Sequence, residues 1–262
     1  MHDLWHTLRQ YTQARIAQGR SGCGMRTASL LDFQLAHAMA RDAVHLPWDT
    51  AKLAQDLGTR GLETMVLSTR VRDRVHYLKR PDLGRTLDQT SRDLLAEAAG
   101  RPADVALILS NGLSSAAMER HGLALTEAIV ERLGRGHLMG SGTNADACIA
   151  PIVLVPNARV ALSDEIGALM KARLTVMVVG ERPGLSAADS LGIYMTYGPK
   201  PGNTDAERNC ISNIRPPEGL SYREAAEKLG YLAGMAMQRG LSGVALKDDM
   251  PAPERLFHVA TD

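Results

Sequence analysis

Apolar positions along this chain change their spacing near residue 100. Before that point they recur at helical intervals. Leu4, Leu8 and Tyr11 fall on one face of a first helix, and Leu30, Leu31, Phe33, Leu35 and Ala38 form an apolar stripe on a second. Thr27 stands where it can cap that second helix, which the pattern carries to about His45, ahead of Pro47. Between the two helices lies RIAQGRSGCGMRT, a Gly-rich loop carrying Arg15, Arg20 and Arg26. DLGRTLDQTSRDLLAEAAG reads as a further helix, ended by Gly100.

From residue 102 onward, short continuous apolar runs alternate with helical stretches. DVALILSNGLSSAA is a run ending in Asn111-Gly112, followed by a long helix from about Ser114 to Leu133. ACIAPIVLVPNARVAL predicts a strand, a turn at Pro156-Asn157 and a short second strand. SDEIGALMKA predicts a short helix with Ser163 at its start, and RLTVMVVGERPG and SLGIYMTYGP two more strands. SYREAAEKLGYLAGMAMQRG opens with Ser221 and has Glu224 three residues later, the pattern of a capping box. SGVALKDD is expected to close as a short strand. Continuous apolar strands alternating with helices predict an α/β fold: a mostly parallel sheet with helices on both faces, plus a helical N-terminal part. The division expected is residues 1–100 for the helical part and 101–262 for the sheet domain. Ligands of such sheets bind outside the C-terminal ends of the strands, so Asn111-Gly112 and Gly180-Glu181-Arg182 would line the crevice.

The bulk properties narrow the classes of function. An apolar fraction of 45% supports a sizeable core, and with 4% aromatics that core rests on aliphatic side chains and Met. A net charge of +1 gives no reason to expect nucleic acid or an anionic membrane as partner. No apolar stretch approaches the ~20 residues that span a bilayer. The N-terminus, with Asp3 and no apolar core, is not read as a secretory signal. Cys23, Cys148 and Cys210 are widely spaced and without a CxxC pairing, which fits a reducing, cytoplasmic setting. The eight histidines form no HExxH or similar motif, so no metal site is expected.

Four segments carry candidate chemistry. GSGTNA, Gly140–Ala145, begins like a dinucleotide fingerprint but lacks the third Gly and follows no strand, and so reads as a loop. Asp164 and Glu165 read as first-turn carboxylates complementing a helix dipole, and Lys247, Asp248 and Asp249 as a solvated charge cluster. TDAERNCISNIRP reads as a polar loop whose Arg208, Asn209, Asn213 and Arg215 suit an amide-rich or charged ligand, while its Cys210 is equally a small buried hydrophobe. In GERPGLS, either a tight turn carries a solvated Glu181-Arg182 pair, or Glu181 is held at the sheet edge to accept from a ligand.

RIAQGRSG, LLDFQLAHAMARDAVHLPWD, YLKRPDLGR, NGLSSAA, GERPGLSAADSLGIYMTY, DAERNCISNIRP and GLSYREAAEKLGYL together resemble the small (light) subunit of ethanolamine ammonia-lyase, from about Arg15 to about Asp248. The resemblance implies a Rossmann-like domain and a subunit of an adenosylcobalamin-dependent lyase that converts ethanolamine to acetaldehyde and ammonia. It further implies a TIM-barrel large subunit that binds the substrate, a cofactor held between the two subunits, and a hetero-oligomer. By the same resemblance, cofactor contacts fall at Val160 (a backbone contact in the RV strand), Glu181 and Cys210, and no catalytic residue is assigned to this chain. Corrin side chains end in primary amides, which a carboxylate and backbone groups can pair. The family often has Asp where this chain has Asn111. The chain also lacks the Asp-x-His-x-x-Gly sequence by which other cobalamin proteins ligate cobalt, so the cofactor is expected to keep its own dimethylbenzimidazole. The cytoplasm and the interior of a bacterial microcompartment both remain open. Two rival readings are an interaction subunit without significant cofactor contact and a stand-alone nucleotide-binding enzyme, the latter disfavoured by the missing glycine fingerprint.

Overall fold

The computed structural model describes residues 7–98, 102–134 and 147–250. A small hairpin (β1 Arg20–Ser21, β2 Gly24–Met25) precedes α1 (Thr27–His45) and α2 (Thr50–Gly58). Then come β3 (Thr64–Val66), α3 (Arg74–Lys79), α4 (Gln89–Ala98), β4 (Val105–Ser110) and α5 (Ser115–Leu133). The remainder is β5 (Ile152–Leu154), α6 (Leu162–Leu169), β6 (Leu174–Gly180), β7 (Leu191–Tyr197), β8 (Arg208–Ile214) and α7 (Tyr222–Arg239).

Among the described residues six strands form one sheet in the order β3-β5-β4-β6-β7-β8. The pairs β3/β5, β5/β4 and β4/β6 are parallel, and β6/β7 and β7/β8 are antiparallel. The α/β architecture with a mostly parallel sheet is therefore as the sequence implies. Every residue of β4 and β6 is buried, because helices cover both faces. Alternate residues serve opposite layers. Leu107, Leu109, Val176 and Val178 share a core with Leu125 and Ile129 of α5 and Leu229 and Ala233 of α7. Ala106, Ile108, Met177 and Val179 join Leu162 and Ile166 of α6 and Leu95 of α4. Each such Leu, Ile or Val side chain contributes roughly 1.5–3 kcal/mol by leaving water.

Local chemistry explains several boundaries. Ser221 accepts from Glu224 N at 3.2 Å while Glu224 Oε2 accepts from Ser221 N at 2.9 Å, so the capping box opens α7 as expected. Gly240, at φ 69°, ends it in the left-handed conformation. Removing the cap in Ser221→Ala should cost about 1 kcal/mol, seen as a lower urea midpoint with an unchanged m-value.

The structure departs from the sequence reading in several places. Thr27 does not cap α1: it is the first helical residue, and the cap position is Arg26, whose side chain makes no capping bond. The stripe on α1 faces outward, with Leu31, Leu35 and Met39 at 58%, 62% and 53% exposure, while Ala36 and Ala43 make the buried seam. Residues 64–66, in the part read as helical, form strand β3 at the sheet edge. No second strand follows Pro156-Asn157, because the backbone there is engaged elsewhere: Ala158 N donates to Ser110 Oγ and Arg159 N to Gly84 O. SGVALKDD forms a 3-10 turn at Gly243–Ala245, where the Asn209 side chain accepts from Gly243 N and donates to Gly243 O and Leu246 O, taking the place of a strand partner. Leu4, Gly100 and Gly140–Ala145 lie outside the described residues.

Candidate functional site

Strands β4 and β6 run side by side and end together, with Ser110 opposite Val179. The turns that follow them are pressed backbone to backbone. A Cβ on Gly112, at φ +46°, would lie 2.2 Å from Val179 Cγ2, and one on Gly180 would lie 2.2 Å from Ser114 O. Leu113 N donates to Gly180 O across this seam at 2.9 Å. Asn111 does not line a crevice, as its position suggested: it is 4% exposed, donates to Ser115 Oγ at 2.9 Å and accepts from Asn157 N at 2.8 Å. It ties the turn after β4 to the turn after β5.

Glu181 follows directly on this seam. Its backbone N donates to Ser190 O at 3.0 Å, and its Oε2 accepts from Ser190 Oγ at 2.7 Å and Asn213 N at 3.2 Å. Arg182 is exposed and forms no pair with it among the described residues. Glu181 is thus a held carboxylate and not half of a solvated pair with Arg182. Gly192 makes room for it, since a Cβ there would meet Glu181 Oε1 at 2.9 Å. That oxygen accepts no hydrogen bond among the described residues. The loop Glu181–Ser190 is closed by Gly184 N to Ala187 O at 2.8 Å, Ser114 Oγ to Ala188 O at 2.9 Å, and an Arg120–Asp189 ion pair.

The segment read as a polar loop is instead strand β8, paired to β7 with Cys210 opposite Tyr194. Its polar residues obscured it, because as an edge strand it buries only Arg208, Ile211 and Ile214. Ile193 and Met195 of β7 face the α5/α7 core, so Gly192 and Tyr194 face the α6 side, and Tyr194 packs against the core there. Cys210 is exposed. Partial burial of the sulfur pushes its thiol above the ordinary value, the Glu181 carboxylate pushes the same way, and the hydrogen bond with Tyr194 opposes both. Burial raises the Tyr194 phenol, with Cys210 and Glu181 adding to the effect. Cys210 is therefore a neutral S–H donor at physiological pH, not a thiolate nucleophile.

Val160 is also on the α6 side, its side chain packed against the core that holds Leu162 and Ile166. It is not in a strand, contrary to the sequence reading, but in the turn leading into α6. Its C=O accepts from Ser163 N at 3.0 Å and Ser163 Oγ at 2.8 Å, which leaves the N–H as the group without a partner among the described residues. Glu181, Tyr194, Cys210 and Val160 thus share the open face of the sheet beside α6. Sequence reasoning missed two members of this face. Tyr194 was hidden in an apolar run, and Asp164, read as a helix-end carboxylate, forms a buried ion pair with Arg208. A groove of about 680 Å³ lies elsewhere, between α1 and the loops around Asp189 and Arg215. The described residues hold no group of three His, Cys, Asp or Glu that could bind a metal, and no helix long and apolar enough to cross a membrane.

The described residues thus form an α/β sheet covered by helices, with the held carboxylate of Glu181 at one strand end and the Cys210 thiol exposed on the edge strand. The family model described as ethanolamine ammonia-lyase light chain (EutC) matches residues 2–247. The chain is 51% identical over 249 residues to the ethanolamine ammonia-lyase small subunit of Azotobacter vinelandii, covering 94% of this chain and 88% of the relative. It is 48% identical over 254 residues to that of Xanthomonas campestris pv. campestris, covering 96% and 90%. With that of Rhodopseudomonas palustris the identity is 50% over 249 residues, covering 95% and 91%. This chain belongs to the family of ethanolamine ammonia-lyase small subunits.

Proposed function

We propose that this chain holds adenosylcobalamin against a large catalytic subunit, through the face that carries Val160, Glu181 and Cys210. The observation that carries the reading is Glu181: one oxygen is anchored by Ser190 and Asn213 while Oε1 remains free to accept. The donor set suits an amide-fringed ring. Glu181 Oε1 accepts from an amide NH₂, the Val160 N–H donates to an amide C=O, and the protonated Cys210 thiol is a weak donor. An unpaired buried amide would cost about 1–3 kcal/mol, so these contacts discriminate. The face is open, which supports a ligand closed in by a second protein surface. The outward apolar stripe of α1 supports a partner as well.

When bound, the cofactor supplies the radical chemistry by which ethanolamine becomes acetaldehyde and ammonia. This chain's residues grip and orient it. The substrate and its acid/base groups belong to the large subunit, a TIM barrel in this reading, and the chain is active only in the hetero-oligomer. The work is done in the cytoplasm, free or inside a microcompartment. The test is to purify this chain alone and with its large subunit, add adenosylcobalamin, desalt, and record visible spectra. Retention of the corrinoid by the pair and not by either chain alone is expected. Full retention by the large subunit alone would overturn the reading in favour of a scaffold subunit.

A further inference from the structure

The face beside α6 rests on a feature that its contacts to a ligand do not explain. Arg208 and Asp164 form an ion pair with both side chains only 2% exposed. Arg208 also donates to Thr204 O through Nη1 and to Asn203 O, at 3.3 Å, through Nη2. Even so, Asp164 Oδ1 and Arg208 Nε are buried without a protein partner, as are Thr196 Oγ1 and Asn203 Oδ1 beside them. A buried pair with unmet polar atoms is a poor stabiliser, since apolar residues of like volume commonly do as well or better. Its location is more telling. Asp164 lies one helical turn beyond Val160, and Arg208 lies two residues before Cys210 on the same side of β8. The neighbouring Glu165 turns away, accepting from Leu87 N at 3.0 Å and pairing with Arg92 at 2.5 Å.

We infer that Asp164 and Arg208 are positioning residues whose buried pair fixes the gap between the turn carrying Val160 and the strand carrying Cys210, and so sets the fit of the corrinoid. The inference rests on the proposed function. Asp164 is the member that can switch. Burial pushes its carboxyl up to about 6, against the pull of Arg208 from β8, and Glu207 and Asp205 of the adjoining 3-10 turn push the same way as burial. Beside Arg208 on β7 stands the neutral Thr196, with Tyr194 protonated further along the strand. Protonation leaves Arg208 charged and removes the charge that holds α6 to it. The folded-state value lies above the ordinary one, so this group by itself favours folding as the pH falls through 6. A loss of corrinoid on acidification is therefore not unfolding driven by Asp164.

The test uses the assembled two-subunit complex with hydroxocobalamin as probe, its dissociation constant read by visible absorbance, alongside thermal melting and size-exclusion chromatography. Wild type should bind about tenfold more weakly at about pH 5 than at about pH 7.5, with the complex intact. Asp164→Asn should be weakened about tenfold at the higher pH and lose the pH dependence. If that variant does not assemble, the double variant Asp164→Asn, Arg208→Met, which removes both charges together, takes its place with the same expectation. A flat wild-type profile, or wild-type affinity in the folded variant, overturns the inference. Glu181→Ala tells this failure apart from that of the functional reading: weaker binding there with no effect at Asp164 sinks only the positioning role, whereas no effect at Glu181 sinks the proposed corrinoid face itself.

Discussion

Gly180→Ala is expected to lose at least about 3 kcal/mol of folding stability, the upper end for overpacking a closed interior. The added methyl would stand 2.2 Å from Ser114 O and 2.4 Å from Asn111 O. Both are backbone atoms, in the turn that starts α5, and neither can rotate away as a flexible side chain would. Relief requires the ends of β4 and β6 to separate, which also breaks the 2.9 Å bond from Leu113 N to Gly180 O. Set against a total stability of about 5–15 kcal/mol, this is a large share. Glu181 follows on the displaced strand end, so what folds should present its carboxylate poorly. Gly184→Ala is the control, because there the nearest atom to the new Cβ, Ala187 O, is 3.7 Å away. Urea denaturation should separate the two variants; coincident midpoints would show that the seam has room.

The second large effect is expected on binding. Glu181→Ala should raise the dissociation constant for adenosylcobalamin in the assembled complex about ten- to hundredfold, the worth of a charge-assisted hydrogen bond at roughly 1.5–3 kcal/mol. Two losses contribute. Oε1 no longer accepts from a corrin amide, and the Ser190 hydroxyl and Asn213 N–H lose their acceptor, which loosens the loop and the end of β8. Glu181→Gln separates them. Its amide oxygen can still accept from Ser190 and Asn213, so loop order should survive while the charge toward the ligand is lost. Binding titrations by absorbance, with the stoichiometry of the complex checked by size exclusion, decide the matter. Unchanged affinity in both variants would remove Glu181 from the ligand face.

Much of this molecule could be read from the chain. Continuous burial made β4 and β6 legible, because strands covered on both faces need no alternation. Ser221 and Glu224 announced α7, since a capping box is satisfied within three residues. What the chain concealed was polar structure with distant partners. Strand β8 looked like a loop because Arg208 is buried against Asp164, forty-four residues earlier, and Asn209 is bonded to Gly243 and Leu246. Asn111 looked like a crevice residue because one of its partners, Asn157, meets it only when β4 and β5 pair. The stripe on α1 looked like core, and hydrophobic spacing cannot tell a buried face from one left outward.

By itself the sequence determined the long helices α5 and α7, the buried strands β4, β6 and β7, and which family the motifs mark, because spacing, caps and short motifs act within a few residues. Only the tertiary structure decided which oxygen of Glu181 is tied and which is free, that the C=O of Val160 is taken by Ser163, and that Asp164 is buried opposite Arg208. Those outcomes depend on strand ends and a helix brought together from far along the chain, where burial and a single hydrogen-bond partner fix what each group can still do.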